Sequence, residues 1–250
     1  MSKRLLFGWH SVIALLEHHP ERVIRLQLQQ GRDDRRQQQA LALAGRFGVA
    51  VEYAGRKAMD ERSGDSVHQG VIAEVRPAPE PTESDLLDRL ASQPHPPFLL
   101  ILDGVTDPHN LGACLRTADA AGVDAIVVPK DKSAPLSAAA IKVACGAAES
   151  VPVVRVTNLA RFMRQCQEQG IWFTGTTGDA EQPLHELDLT GPLGLVMGAE
   201  GAGMRRLTRE HCDQLGYLPM SGMVSSLNVS VATGVCLFEA RRQRLARQGK

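Results

Sequence analysis

The sequence predicts an α/β protein of two domains, the larger of which contains a mostly parallel sheet. Strand-like and helix-like segments alternate through the C-terminal part of the chain, and a proline-rich stretch separates that part from a shorter N-terminal one. The chain has 250 residues, of which 43% are hydrophobic, so it can bury a sizeable core. We therefore expect two folded domains that need neither metals nor disulfides.

A proline-rich stretch marks the expected domain boundary. Three prolines lie between residues 77 and 81 and three more between 94 and 97, and they flank only a short helical pattern at 85–91. Proline excludes a long helix or a central strand there. We read residues 77–97 as a linker between an N-terminal domain of residues 1–76 and a C-terminal domain of residues 98–250.

The N-terminal domain shows the pattern of a small α/β layer. The spacing of apolar residues predicts helices near 12–16 and at 37–47, and strands at 23–28, 49–53 and 71–75. These first 77 residues carry twelve basic and nine acidic side chains, although the whole chain is balanced at 28 of each. A mild basic excess is compatible with RNA contact and equally with an ordinary solvated surface.

The C-terminal domain alternates more regularly. We predict strands at 98–102, 125–128, 153–156, 171–174, 193–197 and 214–218, and helices at 111–121, 137–147, 159–169, 204–212 and 225–247. Strands that alternate with helices form largely parallel sheets, which bind ligands at the carboxyl ends of their strands. The loops after Leu102, Met197 and Leu218 are therefore the expected positions of ligand-binding and catalytic residues.

Cysteine usage and hydropathy favour a soluble, cytoplasmic protein. The five cysteines are far apart and form no C-x-x-C pair, which argues against a disulfide framework and against a zinc site. The sequence shows no secretory signal pattern and no apolar run of the roughly 18 residues that a membrane span needs. We expect reduced thiols, no membrane association and no metal.

The first loop of interest, residues 103–118, runs from a buried-type strand into a helix. It contains Asn110 and, six residues later, Arg116. Taken alone, these residues are also explained by Asn110 capping the helix and Arg116 forming a surface ion pair.

The second loop, residues 197–206, is again a glycine-rich connection from strand to helix and contains Gly198 and Glu200. Its order is G-x-x-G-x-G, whereas a dinucleotide fingerprint is G-x-G-x-x-G, so an NAD-dependent oxidoreductase is disfavoured. A tight turn with Glu200 near a helix N-terminus explains the loop equally well in isolation.

The third loop, residues 218–232, follows a strand with Pro219 and Met220 and places Ser225, Ser226 and Asn228 at the start of a long helix. Exposed amides at such a helix start would suit an anionic group. Ser221 is not expected to be a hydrolase nucleophile, because M-S-G lacks the G-x-S-x-G elbow.

Together, in this order, the three loops resemble the three motifs of the SpoU (TrmH) branch of the SPOUT methyltransferases. The shared elements are N-x5-R, G-x-E-G and P-M-x-G-x-V-S-S-L-N-V-S-V-A. The resemblance extends to F-G-W-H-S-V at residues 7–12 and V-H-Q-G-V at residues 67–71, which look like the substrate-binding domain of the bacterial RlmB group. It covers nearly the whole chain.

The resemblance implies an activity and an assembly that periodicity does not. It implies a trefoil knot in the C-terminal sheet, S-adenosyl-L-methionine as cofactor, and a homodimer whose active site uses residues of both chains. It also implies an N-terminal RNA-binding domain of the ribosomal-protein L30e type. The expected reaction is methylation of a guanosine ribose 2′-hydroxyl in large-subunit ribosomal RNA, in the peptidyl-transferase region.

The family's functional residues map onto this sequence individually. The resemblance implies that Arg116 is the central catalytic arginine, that four polar residues share its active site, and that four others bind the cofactor. Two positions depart from the family pattern: Leu218 stands where relatives often have Ile, and Ala202 replaces a common acidic residue. The polar residues are Asn110, Glu200, Ser226 and Asn228, and the cofactor-binding residues are Gly198, Leu218, Met220 and Leu227.

Two other functions stay open beside this one. The chain could act on transfer RNA as a 2′-O-methyltransferase, or it could be a noncatalytic RNA-binding factor of ribosome assembly that retains the fold. Binding of S-adenosylmethionine separates the second alternative from an enzyme, because a ligand that binds only the folded state raises its stability.

Overall fold

A computed structural model of the protein describes residues 3–64, 67–77 and 79–248. The chain forms two compact units. Unit 1 consists of the chain up to Pro79 together with the later segment Cys145–Ser150, and unit 2 consists of Glu80–Ala144 and the chain from Val151 onward. The boundary lies inside the predicted linker at 77–97, of which Ala78 is outside the described residues, as are Met1 and Lys250 at the ends of the predicted domains.

Unit 1 contains a four-stranded mixed sheet in the order β1-β4-β2-β3. β2 pairs in parallel with β3, and the other two pairings are antiparallel. The elements are β1 (Arg4–Phe7), α1 (Trp9–His18), β2 (Val23–Gln29), α2 (Arg35–Phe47), β3 (Ala50–Ala54), α3 (Arg56–Ser63) and β4 (Val71–Val75).

The core of unit 1 lies between its sheet and two of its helices. Trp9, Val12 and Leu16 of α1 pack with strand residues such as Leu26, and Ala40 of α2 closes the cluster. Local signals explain the helix bounds: the Asp34 side chain accepts the backbone N–H groups of Arg36 and Gln37, and Gly48 ends α2 at φ 68°.

Two elements of unit 1 were absent from the sequence prediction. β1 is a short strand whose partner, β4, lies some seventy residues later in the chain, so its pairing depends on the tertiary fold. α3 is mostly polar and buries only Met59 and Ser63, so it carries little helical hydrophobic pattern.

The segment Cys145–Ser150 also differs from the prediction, which placed it in the C-terminal domain. It packs within unit 1, where Glu149 is buried and pairs with Arg4 and Arg22. The Arg22 Nη1 to Glu149 Oε2 distance is 2.8 Å. A buried carboxylate is tolerated when it is paired in this way, and residues more than a hundred positions apart make the pair.

Unit 2 contains a seven-stranded sheet in the order β7-β6-β5-β10-β8-β11-β9, in which every pairing is parallel. The strands are β5 (Phe98–Asp103), β6 (Ala125–Pro129), β7 (Val153–Val156), β8 (Trp172–Thr176), β9 (Gln182–Pro183), β10 (Leu193–Gly198) and β11 (Gln214–Tyr217). The helices are α4 (Glu83–Ser92), α5 (Pro108–Ala121), α6 (Ala138–Ala144), α7 (Leu159–Glu168), α8 (Arg206–Glu210) and α9 (Val229–Gln248).

The parallel sheet is the one that the alternation of strands and helices predicted. All residues of β5 and β6 are buried, as expected for central parallel strands that are covered on both faces. Helix α7 contributes Phe162 and Met163 to one core cluster, together with Leu99 and Ile101 of β5. The predicted strands and helices of this unit are all present, with shifts at their ends.

Helix α4 shows that the predicted linker is partly structured. It begins with a capping box in which the Thr82 hydroxyl accepts the Asp85 N–H and the Asp85 carboxylate accepts the Thr82 N–H. Its Leu86 and Leu90 are buried in the same core cluster as Phe162. Residues 83–92 therefore belong to unit 2, because their apolar face packs into its core.

Candidate active site

The carboxyl ends of four neighbouring strands of unit 2, β5, β10, β8 and β11, meet at one edge of the sheet. In register, Gly198 at the end of β10 lies opposite Asp103 at the end of β5. The loops after β10, β8 and β11 line a cavity of about 790 Å³, and the loop after β5 lies at the same edge of the sheet. This is the edge at which parallel sheets bind ligands, and it includes all three loops that the sequence singled out.

Glu200 connects the three loops through a single oxygen. Its Oε1 accepts hydrogen bonds from the Asn228 side-chain amide at 2.7 Å, the Val229 backbone N–H at 3.2 Å and the Asn110 side-chain amide at 3.3 Å. The Asn228 amide also donates to Asn110 Oδ1 at 3.0 Å. The three polar residues therefore form one hydrogen-bonded cluster, although up to 118 positions separate them in the sequence.

The glycine loop, residues 198–205, closes on itself. Ala199 and Gly203 exchange two backbone hydrogen bonds, of 3.0 and 2.9 Å, and Gly201 and Gly203 adopt φ values of 75° and 68° that glycine tolerates. At Gly198, a Cβ atom would lie 2.2 Å from the carbonyl carbon of Gly203. The N–H groups of Ala199 and Gly203 are used within the turn and do not donate to the Glu200 carboxylate.

Asp103 supports the far end of the glycine loop. This buried carboxylate accepts the backbone N–H of Arg205 at 2.8 Å, and the Arg205 Nε lies 3.3 Å from its other oxygen. The Arg205 guanidinium also donates to the Asp131 carbonyl at 3.1 Å. Because a charge-assisted hydrogen bond in a buried position is strong, Asp103 holds the loop at the end of β5.

Helix α9 begins later than the sequence indicated. We predicted a helix from residue 225, but α9 starts at Val229. The reason is a capping interaction: Asn228 Oδ1 accepts the Ser230 N–H at 2.9 Å and the Ser230 hydroxyl at 2.6 Å. Ser225 and Ser226 consequently lie in an exposed loop that lines the cavity.

Helix α5 begins earlier than predicted, and Asn110 does not cap it. The cap is Asp107, whose side chain accepts the His109 N–H at 2.9 Å, and Pro108 occupies the first helical position. Asn110 is therefore in the first turn of α5, with its side chain in the Glu200 cluster. Arg116 lies on the same helix with an exposed side chain.

The cavity is lined by seven of the nine predicted site residues. Asn110 and Arg116 are the two outside its lining, and Asn110 reaches it through Glu200. The seven that line it are Gly198, Glu200, Leu218, Met220, Ser226, Leu227 and Asn228.

Sequence reasoning missed a fourth loop, at residues 176–179, which also lines the cavity. Asp179 accepts from the Thr177 hydroxyl at 2.5 Å and from Arg209 at 2.8 Å, and these contacts lower the pKa of its carboxyl group, the Thr177 contact most. The signal was available, because T-T-G-D follows a strand. Only the strand order, which places β8 between β10 and β11, shows that this loop belongs to the site.

Two family models match the chain, one over most of each unit. The model described as the SpoU rRNA methylase family matches residues 97–238, and the model described as RNA 2′-O ribose methyltransferase substrate binding matches residues 5–81. The first match alone covers more than half of the chain. The chain belongs to the SpoU rRNA methylase family.

Individual SpoU relatives cover almost the whole chain. The chain is 60% identical over 240 residues to the 23S rRNA (guanosine-2′-O-)-methyltransferase RlmB of Escherichia coli (strain K12), across 96% of this chain and 98% of the relative. It is 59% identical over 246 residues to the enzyme of the same name from Vibrio cholerae, across 98% and 99%.

A solved SpoU structure has the same fold as this chain. The SpoU methyltransferase AviRb of Streptomyces viridochromogenes, crystallised with AdoMet, is 25% identical and superimposes with a TM-score of 0.77. The match covers 98% of this chain and 91% of AviRb. The resemblance on which the sequence interpretation relied is thereby confirmed.

Two further observations concern metals and membranes. Among the described residues, no group of three or more His, Cys, Asp or Glu side chains is placed to hold a metal ion. In the same part of the chain, no helix combines the length and the apolar character that crossing a membrane requires.

Proposed function

We propose that this protein transfers a methyl group from S-adenosyl-L-methionine to the ribose 2′-hydroxyl of a guanosine in 23S ribosomal RNA. The observation that carries the proposal is the convergence of Asn110, Glu200 and Asn228 beside a cavity at the carboxyl edge of a SpoU-family sheet. The RlmB relatives, 60% identical over nearly the full chain, support the substrate. Following the family resemblance, the target guanosine lies in the peptidyl-transferase region.

The cavity fits S-adenosylmethionine in size and in the chemistry of its walls. Its volume of about 790 Å³ is in the range of cofactor sites, and it combines apolar side chains with polar groups. Gly198 lets the turn that forms one wall pack closely, because any side chain there would collide with the backbone of Gly203. Gly198, Leu218, Met220 and Leu227 would hold the cofactor, which supplies an electrophilic methyl group when bound.

Residues of the chain would position the ribose and assist the loss of its 2′-hydroxyl proton. A 2′-hydroxyl is a weak nucleophile, so holding it in line with the methyl group supplies a large part of the rate. The Arg116 guanidinium, with its planar array of N–H donors, is suited to stabilise the forming alkoxide and to hold a neighbouring phosphate. Ser226 and Asn228 would orient the sugar, with Glu200 holding Asn228 in place.

The test of this assignment is Arg116→Ala, compared with wild type on 23S ribosomal RNA transcribed without modifications. We expect unchanged affinity for S-adenosylmethionine by calorimetry and methyl transfer reduced at least ~10²-fold, as is usual when a group that stabilises developing charge is removed. The matched control is Arg161→Ala, because Arg161 is an exposed arginine of unit 2 on α7, away from the cavity. Full activity of Arg116→Ala would refute the catalytic role of the arginine.

The substrate is tested separately from the chemistry. We expect wild-type protein to methylate a guanosine of the 23S transcript and to leave transfer-RNA transcripts unmodified. Mapping of 2′-O-methyl groups on ribosomal RNA from cells with and without the protein identifies the position. If only transfer RNA is methylated, the reaction is the proposed one but the substrate is transfer RNA. If the chain fails to bind S-adenosylmethionine, it is a noncatalytic RNA-binding factor.

We also propose that the protein acts as a homodimer through α9. Val231, Val235 and Phe238 are exposed at i, i+4 and i+7 on this helix, whereas Cys236, Leu237 and Ala240 of its other face are buried. We call the three exposed residues the apolar stripe. Contiguous exposed apolar surface is typical of an interface, and by family resemblance the partner is a second copy whose residues complete the active site.

The remaining family features are proposals of the same kind. The family resemblance supports a trefoil knot in the sheet of unit 2. A cytoplasmic location follows from ribosomal RNA as the proposed substrate, because bacterial ribosomes are assembled there.

A further inference from the structure

Unit 1 contains a cavity of about 450 Å³ that the methyl-transfer site does not explain. It is lined by residues 67–70 of the second N-terminal motif, and Gln69 of that motif contacts Trp9 of the first. The indole N–H of Trp9 donates to the Gln69 carbonyl at 2.9 Å, and the Trp9 backbone N–H lies 3.4 Å from Gln69 Oε1. Two segments that the sequence marked independently therefore build one structure.

The wall of this cavity is rigid because His68 is held at both ring nitrogens. His68 is buried, its Nδ1 accepts the Gly70 N–H at 3.0 Å, and its Nε2 lies 2.8 Å from Asp60 Oδ1. Since Nδ1 accepts a hydrogen bond, Nε2 is the ring nitrogen that donates to Asp60. The loop from 67 to 70 is thereby tied to α3.

Gln69 is held in an uncommon backbone conformation at the edge of the cavity. Its φ of 55° is in the left-handed region, which costs a residue other than glycine some energy. The Gln69 carbonyl accepts from Arg32 at 2.6 Å as well as from Trp9, and these hydrogen bonds stabilise the conformation. The exposed Gln69 side chain lines the cavity, where its Oε1 contacts the Trp9 backbone N–H and its NH₂ group is the part that can meet a ligand.

Two arginines, Arg32 and Arg56, and one carboxylate, Asp60, line the cavity. The Arg32 guanidinium lies 5.4 Å from the centre of the Trp9 ring and is already paired with Asp34. Arg56 is different: its side chain is 79% exposed, and its Nε lies 3.9 Å from Asp60 Oδ2, a distance at which an exposed pair contributes little. Arg56 therefore presents most of its donors to whatever enters the cavity.

We propose that this cavity receives an unpaired nucleotide of the substrate RNA, with a phosphate against Arg56 and the base edge against the Gln69 amide. Sequence-specific RNA recognition uses unstacked bases that are hydrogen-bonded along their edges, whereas duplex RNA is contacted across wide, shallow surfaces. A concave site lined by a guanidinium, amide groups and the apolar Val67 suits the former. The proposal rests on the proposed function, because it takes RNA as the substrate.

Three variants of the full chain test the proposal. Arg56→Ala removes the phosphate contact. Gln69→Gly removes the amide but keeps the backbone, because glycine adopts a φ of 55° without strain. Lys57→Ala is the matched control, because Lys57 is an exposed cation next to Arg56 that does not line the cavity. The readouts are fluorescence anisotropy with a labelled 23S transcript at several salt concentrations, and steady-state methylation.

We expect Arg56→Ala and Gln69→Gly to weaken RNA binding about 5- to 50-fold and to raise KM for RNA with little change in kcat. In Arg56→Ala, the slope of log affinity against log salt should also fall by about 1. The RNA affinity and KM of Lys57→Ala should stay within about twofold of the wild-type values, because a surface charge outside the cavity contributes little. Affinity for S-adenosylmethionine should be unchanged in all three.

The outcomes separate this proposal from the proposed function. If Arg56→Ala and Gln69→Gly bind RNA as Lys57→Ala does while wild type methylates the transcript, the cavity does not hold a nucleotide and the proposal is overturned. If the two variants lose RNA binding but wild type transfers no methyl group, the cavity proposal is supported and the proposed function is the one that fails.

Discussion

At the scale of single residues, Glu200 is the residue that joins the loops of the site. Its Oε1 accepts three hydrogen bonds, from the side chains of Asn110 and Asn228 and from the backbone of Val229. Asn110 belongs to α5, whereas Asn228 and Val229 are neighbours at the start of α9. An exposed carboxylate contributes little to global stability, so its value lies in orienting the amides that face the substrate.

Glu200→Ala should therefore damage activity much more than stability. We expect the rate of methyl transfer at saturating cofactor to fall about 10- to 100-fold, which corresponds to the loss of hydrogen bonds to a charged acceptor. The melting temperature should change little, because the side chain is exposed. Single-turnover transfer of labelled methyl groups and a thermal melt measure the two effects, and Glu210→Ala is a surface control. A large loss of stability with normal activity would contradict this role.

At the scale of elements, the glycine loop and the two helix starts determine the shape of the site. The loop closes by hydrogen bonds between Ala199 and Gly203, while Asp107 caps α5 and Asn228 caps α9. These interactions are local in the sequence. The end of the glycine loop, however, is held by a nonlocal contact, that of Asp103 with Arg205. Consequently, the site is sensitive to changes that open the turn without unfolding unit 2.

Gly198→Ala is the change that tests the turn. Its Cβ would lie 2.2 Å from a backbone carbon of Gly203, a collision that only a shift of the loop can relieve. We expect at least ~10-fold weaker binding of S-adenosylmethionine by calorimetry, because displacement of the loop removes a wall of the cavity.

Gly191→Ala serves as the control for this substitution. Gly191 precedes β10, has no positive φ, and a Cβ there would meet nothing within 4 Å. Cofactor affinity and stability of this variant should match wild type. Equal affinities of Gly198→Ala and Gly191→Ala would show that the loop does not form the cofactor wall.

At the scale of the whole molecule, α9 relates the site to the proposed dimer. Asn228 at its start belongs to the Glu200 cluster, and the apolar stripe of Val231, Val235 and Phe238 follows directly on the exposed side. An interface on this stripe would bring a second chain close to the site. The assembly would then be needed for catalysis as well as for stability.

Phe238→Asp should convert the dimer into a monomer. Phe238 is 48% exposed on α9, and a charge buried in an apolar interface without a partner typically costs at least ~2 kcal/mol, about 30-fold in the dissociation constant. We expect a lower mass by sedimentation equilibrium and a parallel loss of methylation. Leu207→Asp, at a comparably exposed leucine of α8, should remain dimeric. A monomeric wild-type protein would refute the dimer.

Much of the site was predictable because its chemistry is local in the sequence. Asn110, Glu200, Ser226 and Asn228 were recognised from motifs on strand-to-helix loops, and the structure places all four at one edge of the sheet. The elements that were missed lack such signals. β1 needs its distant partner β4 to be a strand, and α3 is too polar to show a helical face.

The sequence by itself determined the fold class of unit 2, because apolar periodicity and turn residues are local properties that specify parallel strands and covering helices. It also determined the family, because the three motifs occur on the loops where such sheets bind ligands. Only the tertiary structure decided that the loop at 176–179 lines the cavity, that Cys145–Ser150 packs in unit 1, and that Glu200 joins Asn110 to Asn228. The physical reason is that these features depend on strand order and on contacts between residues far apart in the chain, which no local pattern encodes.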